Sequence, residues 1–389
     1  MKRGIGRGAG SLFLAAALLF MGGHIERFAQ ATSQPVKIYT FSVDSIPPEL
    51  LQTAMQVCEE DVTFTLTFAG DCTLGGTEAA NRLANGFART VEERGAAYPF
   101  EKLQPLFAGD DCTIVNLEGV LSGGKPEKVK GKQYHFIGSP AYTDILRLGS
   151  VECVNVANNH TLDYGEEGYR DTLAALHAVG IAHFGETSVT VVEKGGVRIG
   201  FTGNLFNLAG ERMAQLARQV EALERVGCLW IAHSMHAGVE YSLVPSPRQR
   251  AMAEQLSQRG MGMVVGHHPH VVQGVERFGD MPVVYSLGNC SFGGSFNPRD
   301  YDACVLRASI RFVNGKRQSL TLALHPIRIS GDLRRNDFQP FPLTGADAQR
   351  VLDKMQKSSP EALAPFREGH GAVLPEIVYA LSGEGPARE

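Results

Sequence analysis

The stretch Met261-Gly-Met-Val-Val-Gly-His-His-Pro-His270 is the part of the chain from which the fold can be worked out. Its short apolar run ends at Gly266, and three histidines follow within four residues. Such a run predicts a buried β-strand that delivers the imidazoles at its carboxyl end. Ligands and catalytic groups collect at that edge in open α/β sheets, and neutral imidazole is the commonest protein ligand for metals. We therefore interpret the histidines as metal ligands rather than as structural residues of a packing loop.

The composition is typical of a globular protein. The 389 residues, 43% hydrophobic and 20% charged, are enough for one large domain or two ordinary ones. A net charge of −4 argues against a nucleic-acid-binding surface. An anionic substrate stays compatible with this charge, because a bound metal would bring positive charge of its own. The seven cysteines form no Cys-x-x-Cys pair, which excludes a zinc ribbon or a small disulfide scaffold.

The amino terminus has the pattern of a targeting segment. Lys2, Arg3 and Arg7 precede the apolar run Leu12–Met21, which is too short for a full membrane span. We expect residues 1–31 to be a signal peptide or, as the alternative, an uncleaved membrane anchor, so that the protein is exported. Residues 32–61 are then a spacer with a short helix, 62–330 the working domain, and 331–389 a helical extension and tail.

Apolar or alternating runs that end in polar residues recur along the chain. They are Val62–Ala69 before Asp71, Cys112–Val115 before Asn116 and Glu118, Val151–Ala157 before Asn158-Asn159-His160, Cys228–Ala232 before His233 and His236, and Pro282–Ser286 before Asn289. Helices are predicted between them at Glu166–Val179, Glu211–Arg225 and Pro247–Gly260, the last with Ser246 as its N-cap. A hairpin around Asn314-Gly315 follows. This order predicts a layered α/β architecture in a single domain.

The polar strand ends supply oxygen and nitrogen donors with no required thiolate. Such a set suits one or two divalent ions, with Mn, Fe and Zn as the candidates. Two metals that share a carboxylate can activate water and hold an anionic group. The alternative is that each polar strand end is an unrelated turn, and the clustering of His, Asp and Glu argues against it.

Several long motifs resemble those of the CapA family of poly-γ-glutamate capsule synthesis proteins. They are Gly70-Asp71, Asn116-Leu-Glu-Gly119, Ala157-Asn-Asn-His-Thr-Leu-Asp-Tyr-Gly165, His236-x-Gly-x-Glu-Tyr241, Gly266-His-His-Pro-His-Val-Val-Gln273 and Tyr285-Ser-Leu-Gly-Asn289. The resemblance covers about Val62 to Ile329, and the family is similar in turn to calcineurin-like metallophosphoesterases. It implies a layered β-sandwich flanked by helices, in four α/β/β/α layers.

The resemblance also implies roles for individual residues. As metal ligands it implies Asp71, Glu118, Asn159, His236, His268 and His270, with His267 competing with His268 for one position. His160, assisted by Asn159, would be catalytic. The expected substrate contacts are Asn116, Asn158, Asp163, Glu240 and Asn289.

The chain departs from the family and phosphoesterase patterns at a few positions. Glu118 stands where phosphoesterases have Asp, and Ala237 replaces a large aromatic residue, which could widen the pocket. His233 is expected to be structural or to support the ligands. Cys72 and Cys290 each follow a site residue directly, so a disulfide or a pair of thiols beside the site is a further hypothesis.

The loop Ser122–Gln133 contains four lysines. We expect a solvated loop there. The alternative is a mobile basic flap over an anionic substrate, because binding residues are often carried on loops.

The resulting expectation is an exported CapA-like protein that makes, anchors or trims an anionic capsule or cell-envelope polymer such as poly-γ-glutamate. Its reaction would be metal-dependent hydrolysis of a phosphoester or an amide. The alternative is a non-catalytic subunit that binds the polymer within a membrane-bound capsule synthetase. Expected partners are therefore an anionic polymer or phosphoester substrate and membrane capsule-synthesis subunits, but no nucleic acid.

Overall fold

The computed structural model describes residues 35–52, 61–205, 209–374 and 377–378. The expected signal peptide or anchor over 1–31 lies outside these ranges, as do Cys58 and most of the helix expected in the spacer. Within the described ranges, no helix has the length and apolar character needed to cross a membrane.

The strands of the described residues are β1 Lys37–Ser42, β2 Asp61–Thr73, β3 Cys112–Leu117, β4 Val120–Leu121, β5 Ile137–Gly138, β6 Cys153–Asn155, β7 Ala182–Phe184, β8 Ser188–Lys194, β9 Val197–Leu205, β10 Cys228–His236, β11 Met263–His267, β12 Val272–Phe278, β13 Met281–Leu287, β14 Asn289–Phe292, β15 Asp302–Val313, β16 Lys316–Arg328, β17 Phe341–Pro342, β18 Ala372–Val373 and β19 Ile377–Val378. The helices are α1 Pro48–Gln52, α2 Glu78–Asn81, α3 Phe87–Arg94, α4 Gln104–Phe107, α5 Thr143–Leu148, α6 Gly165–Ala178, α7 Glu211–Arg225, α8 Pro247–Gln258 and α9 Gly345–Gln356.

Two large sheets organise these strands. Sheet A has the order β1-β8-β9-β10-β11-β13-β12, and sheet B has the order β17-β16-β15-β2-β3-β6-β7, with β14 beside β2. The strands β9, β10, β11 and β13 of sheet A are parallel, as are β2, β3, β6 and β7 of sheet B. Parallel strands place their carboxyl ends at one edge of a sheet, so the polar residues that follow them are brought together there.

The two sheets pack face to face around an apolar core. Phe68 of β2 and Phe201 of β9 meet across it, with ring centroids 6.3 Å apart. A second cluster, including Phe107 and Leu176, lies between sheet B and helices α3–α6. A third, including Leu223 and Leu256, lies between sheet A and helices α7 and α8. The predicted four-layer α/β/β/α arrangement is therefore confirmed.

The best-marked local predictions are also confirmed. Helix α7 has the predicted bounds, and α8 begins with a capping box in which Ser246 Oγ accepts from Gln249 N at 3.3 Å and Gln249 Oε1 accepts from Ser246 N at 2.9 Å. Strands β15 and β16 form the hairpin, and Asn314 and Gly315 take φ angles of 49° and 71° as a tight two-residue turn requires.

Two segments differ from the expectations. Lys37–Ser42, in the expected spacer 32–61, pairs with β8 along its whole length as the edge strand β1 of sheet A. In the expected helical extension 331–389, α9 is helical, but Ala372 pairs with Leu324 and Ile377 with Leu320 of β16. Both pairings occupy backbone groups at the edge of a sheet that would otherwise stay open.

Candidate metal centre

The predicted ligands converge where the two sheets meet. Asp71 in β2 and Glu118 after β3 come from sheet B, whereas His236 of β10 and His268 and His270 after β11 come from sheet A. All five are buried. Glu118, His236 and His268 have donor atoms within 4.8 Å of one another, and so do Asp71, Glu118 and His270. Glu118 belongs to both groups, so its carboxylate is placed to be shared by two ions.

A bulge in β2 directs Asp71 into the centre. The register between β2 and β3 shifts between Ala69 and Asp71, which leaves Gly70 as the extra residue. The backbone of Asp71 donates to Gly288 O at 3.0 Å. A Cβ atom at Gly70 would lie 2.0 Å from that oxygen, so the approach requires glycine.

The turn after β11 presents two imidazoles. His268 and His270 have φ angles of 97° and 57°, a conformation that residues other than glycine adopt rarely and mostly at functional sites. His268 N donates to Asp71 Oδ2 at 3.2 Å, and His270 Nδ1 lies 3.2 Å from the same oxygen. Asn289 Oδ1, 2.9 Å from His270 Nδ1, fixes this ring.

The environment of the Glu118 carboxylate indicates whether these residues fit a metal. It is fully buried, and neither of its oxygens has a hydrogen-bond partner among the described residues. Three imidazole nitrogens face it, His236 Nε2 at 3.7 Å and His160 Nε2 and His270 Nδ1 at 3.9 Å, and all three are too distant for hydrogen bonds. A buried carboxylate without partners is costly, and a cation between these donors would satisfy it. The arrangement fits a divalent ion.

Burial sets the protonation of the imidazoles. It lowers the pKa of His236 well below the ordinary value and that of His268 to about 4, so both rings are neutral and able to ligate. Burial also works to lower the pKa of His270, but the charge of Glu118 and the hydrogen bond with Asp71 raise it to about 10. Burial works to raise the pKa of Asp71, yet the bond with His270 and the neighbouring imidazoles hold it well below its usual range. Asp71 and His270 therefore form an ion pair in the absence of a metal.

The pKa of Glu118 shifts in the opposite direction. Burial raises it well above the usual value, and the negative charge of Asp71 raises it further. The two carboxylates thus ionise in order. Asp71 ionises at the lower pH, and Glu118 acquires the negative charge that acts on His270 only when it ionises at a higher pH or a cation replaces its proton.

An amide completes the second donor group. Asn159 Oδ1 lies 2.8 Å from His236 Nε2, so the oxygen and the imidazole nitrogen face the same point. Beneath them, Asn116 Nδ2 donates to Asp71 Oδ1 at 2.7 Å and to His236 Nδ1 at 3.2 Å. Asn116 Oδ1 accepts from Asn155 Nδ2 at 2.9 Å. One amide therefore orients a ligand from each sheet.

Four of the five expected substrate contacts lie beneath the donor atoms. Asn116, Asn158, Asp163 and Asn289 are buried, and their side chains bond to protein groups. Burial favours a supporting role for these four over direct contact with a substrate. The fifth, Glu240, is exposed.

His267 and His268 occupy different environments. His268 belongs to a donor group, whereas His267 Nδ1 faces Asp71 Oδ1 at 3.6 Å. The geometry favours His268 as the ligand and His267 as a neighbour of Asp71.

Two further expectations concern His233 and Ala237. His233 Nδ1 lies 2.8 Å from Thr202 Oγ1 and its Nε2 bonds to Asn204, which fits the expected structural role. Ala237 is fully buried in the apolar cluster beneath α7 and α8, and the expectation that it widens the pocket stays a prediction.

Cys72 and Cys290 are neighbours, as the positions of β2 and β14 require. Burial raises the pKa of Cys72 well above its ordinary value, and contact with Cys290 adds to the shift. Both are buried free thiols in this structure.

The candidate catalytic histidine is held from two sides. His160 Nδ1 donates to Asp163 Oδ2 at 2.7 Å, and its ring stacks on Phe136 with centroids 4.1 Å apart. Burial lowers the pKa of His160, and Asp163 partly opposes this shift. Lys132, from the loop Ser122–Gln133, bonds to Asp163. The sequence does not predict these contacts of Phe136 and Lys132, because no motif around either residue indicates that it lies close to residues 159–163.

Comparisons with known proteins identify the family to which the chain belongs. The family described as "Bacterial capsule synthesis protein PGA_cap" matches residues 65–293, more than half of the chain. The PGA biosynthesis protein CapA of Bacillus subtilis (strain 168) is 28% identical over 253 residues, which cover 60% of this chain and 64%, just under two thirds, of that protein. The capsule biosynthesis protein CapA of Bacillus anthracis is 25% identical over 327 residues, covering 77% of this chain and 74% of that protein.

Among solved structures, a purple acid phosphatase from yellow lupin (Lupinus luteus) seeds is similar over 77% of this chain and 57% of that one, with 12% identity and a TM-score of 0.34. At that score we draw no conclusion about function from it. The match over residues 65–293 includes every predicted ligand, from Asp71 to His270. The chain therefore belongs to the bacterial capsule synthesis protein PGA_cap family.

Proposed function

We propose that this chain is an exported, metal-dependent hydrolase that acts in the synthesis, anchoring or processing of an anionic capsule or cell-envelope polymer such as poly-γ-glutamate. Membership of the capsule synthesis family and the names of two relatives support the proposal that the substrate is such a polymer. The observation that carries the metal-dependent part is the buried carboxylate of Glu118. It belongs to two groups of donors and has no hydrogen-bond partner in the part of the chain that the structure describes.

The donors divide into two sets. Asp71, Glu118 and His270 would hold one ion, and Glu118, Asn159, His236 and His268 would hold the other. Bound Mn, Fe or Zn ions supply Lewis acidity, which lowers the pKa of water and neutralises an anionic substrate. Oxygen and imidazole donors suit these metals.

His160 is placed to move a proton at the same point. Its Nδ1 is committed to Asp163, which leaves Nε2 facing Glu118 Oε1 at 3.9 Å. A lowered pKa keeps the ring neutral near pH 7, so Nε2 can accept a proton and later return it to a leaving group.

The surface around the centre suits an anionic chain. Lys125, Lys128 and Lys130 in the loop Ser122–Gln133 are exposed. Their positive charge would attract a polyanion at low ionic strength and lose effect as salt screens it.

The test combines metal analysis with turnover. Purified wild type, Asp71→Ala, His160→Ala and the control His177→Ala, which removes an exposed histidine, are analysed for bound metal and assayed on bis(4-nitrophenyl) phosphate and on γ-glutamyl oligomers. We expect wild type and control to hold one or two ions per chain and to turn over one substrate. Asp71→Ala should lose metal, whereas His160→Ala should keep it and lose roughly 10²- to 10⁴-fold in kcat.

Two results would separate the alternatives. A wild type that holds no metal, with substitutions that change nothing, would refute the proposal. A wild type that binds metal and polymer but hydrolyses neither substrate would identify a polymer-binding subunit instead. Sequencing the amino terminus of the secreted or membrane fraction tests export and shows whether the leader is cleaved.

A further inference from the structure

We propose that Lys132 and Phe136 form a clamp that fixes the orientation of the His160–Asp163 pair. Both would be positioning residues for the reaction, and this catalytic consequence rests on the proposed function. The contacts of the clamp do not depend on that function.

Three groups converge on the carboxylate of Asp163. Lys132 Nζ pairs with Oδ1, while Oδ2 accepts from the backbone N–H of Phe136 at 2.6 Å and from His160 Nδ1 at 2.7 Å. Lys132 Nζ also donates to the carbonyl of Asn159 at 2.5 Å. Asp163 is fully buried, so Lys132 supplies the charge that balances a carboxylate removed from water.

Phe136 restrains the imidazole by packing. Its ring is 5% exposed and lies nearly parallel to that of His160, at 24°. On another side it meets Phe292 edge to face, with centroids 6.3 Å apart. Because Asp163 fixes Nδ1 and Phe136 covers one face, His160 cannot swing Nε2 away from Glu118 without breaking both contacts.

Lys132 differs from the other lysines of its loop. Its side chain is partly buried, at 29% exposure, whereas Lys125, Lys128 and Lys130 are exposed. Lys128 pairs with Glu78 instead of Asp163, with its Nζ 3.1 Å from Glu78 Oε1. Near Lys132 the loop is held by Val129 N, which donates to the carbonyl of Asp163 at 3.0 Å. The loop is therefore anchored at the catalytic turn, and Lys132 is the charged part of that anchor.

The experiment compares Lys132→Met, Lys132→Arg and Phe136→Leu with the control Lys316→Met, which removes an exposed lysine on the β15–β16 hairpin, in the full chain. One readout is hydrogen exchange of the Phe136 amide, which donates to Asp163. The others are kcat and KM on bis(4-nitrophenyl) phosphate and bound metal. We expect Lys132→Met to speed exchange of this amide by at least about tenfold and to lower kcat about 10- to 100-fold at unchanged KM and metal content. Lys132→Arg should show smaller changes in both quantities than Lys132→Met, Phe136→Leu should lower kcat, and Lys316→Met should match wild type.

Two results would overturn the clamp. One is wild-type exchange and wild-type kcat in Lys132→Met. The other is a rise in KM alone, which would mean that Lys132 contacts the substrate rather than Asp163. Phe136→Leu provides a second variant if Lys132→Met fails to fold. If wild type hydrolyses neither test substrate, the proposed function fails, and the exchange of the Phe136 amide still decides whether the clamp exists.

Discussion

Replacing Glu118 by Gln should stabilise the metal-free protein and remove its stabilisation by metal. The pKa of Glu118 is raised in the folded state by burial and by Asp71, whereas the unfolded chain has a value near 4.5. Above that pH the unfolded state releases a proton that the folded state retains, so the stability of the wild type falls as pH rises toward the folded pKa. Gln fills the same space and does not titrate.

The size of the effect grows with pH between the unfolded pKa and the folded pKa. Each pH unit in that range costs the wild type about 1.4 kcal/mol. About 330 described residues correspond to an unfolding entropy of roughly 0.7 kcal/mol/K. Glu118→Gln should therefore exceed the wild type in Tm by about 2 °C for each pH unit over which the folded wild type retains its proton.

Differential scanning calorimetry of chelator-treated protein at pH 6 and at pH 7.5 measures this difference, which should grow with pH. Added Mn²⁺ or Zn²⁺ at about 100 times its Kd should then stabilise the wild type by about 2.7 kcal/mol, or about 4 °C, and Glu118→Gln by much less. Glu221→Gln, an exposed position on α7, serves as the control and should follow the wild type. If metal-free wild type equals or exceeds Glu118→Gln at pH 7.5, the protein itself satisfies the Glu118 carboxylate and the argument fails.

Three other substitutions test separate parts of the structure. Asn116→Ala removes the amide that orients Asp71 and one imidazole, so metal affinity measured by chelator competition should fall about 10- to 100-fold with little change in the fold. Glu152→Gln tests a pH effect away from the centre. Burial raises the Glu152 pKa to about 7, so the free energy of unfolding of the wild type should fall between pH 4.5 and 7. Urea unfolding at several pH values should show that the variant lacks this fall, which is on the order of 2 kcal/mol. The same pH dependence of the free energy of unfolding in wild type and Glu152→Gln would contradict this. Gly70→Ala forces a Cβ against Gly288 O and should cost about 1–3 kcal/mol in the same assay and reduce bound metal, whereas a neutral effect would mean that the bulge can relax.

The strands that carry the ligands are predictable because each begins as a buried apolar run. Their ends are harder to predict when the functional residues belong to the strand itself. Strand β10 is predicted to end at Ala232, yet it continues to His236, because β9 and β11 pair with it on both sides along that length. When a strand is buried and paired on both sides, polar residues inside it have the same sequence pattern as polar residues in a loop that follows a strand.

Depth and long-range pairing leave no mark in a single sequence. Asn116 looks like a surface contact because it ends an apolar run, but the neighbouring strand covers it and turns its amide toward other side chains. Strand β1 looks like part of a spacer because its partner begins at Ser188, far along the chain. The same limit hides Phe136, whose significance depends on a ring contact with His160.

The division of the donors between two sheets has a consequence for how the protein would acquire the proposed metal. Asp71 and His270 lie about 200 residues apart in the chain and meet only when sheet A has docked on sheet B. An unfolded chain holds no part of the centre in place, so the free energy of metal binding is also free energy of sheet docking. Under the proposed function, the ion taken up would be the one available where folding is completed, and the proposed export of an unfolded chain would place that choice on the far side of the membrane.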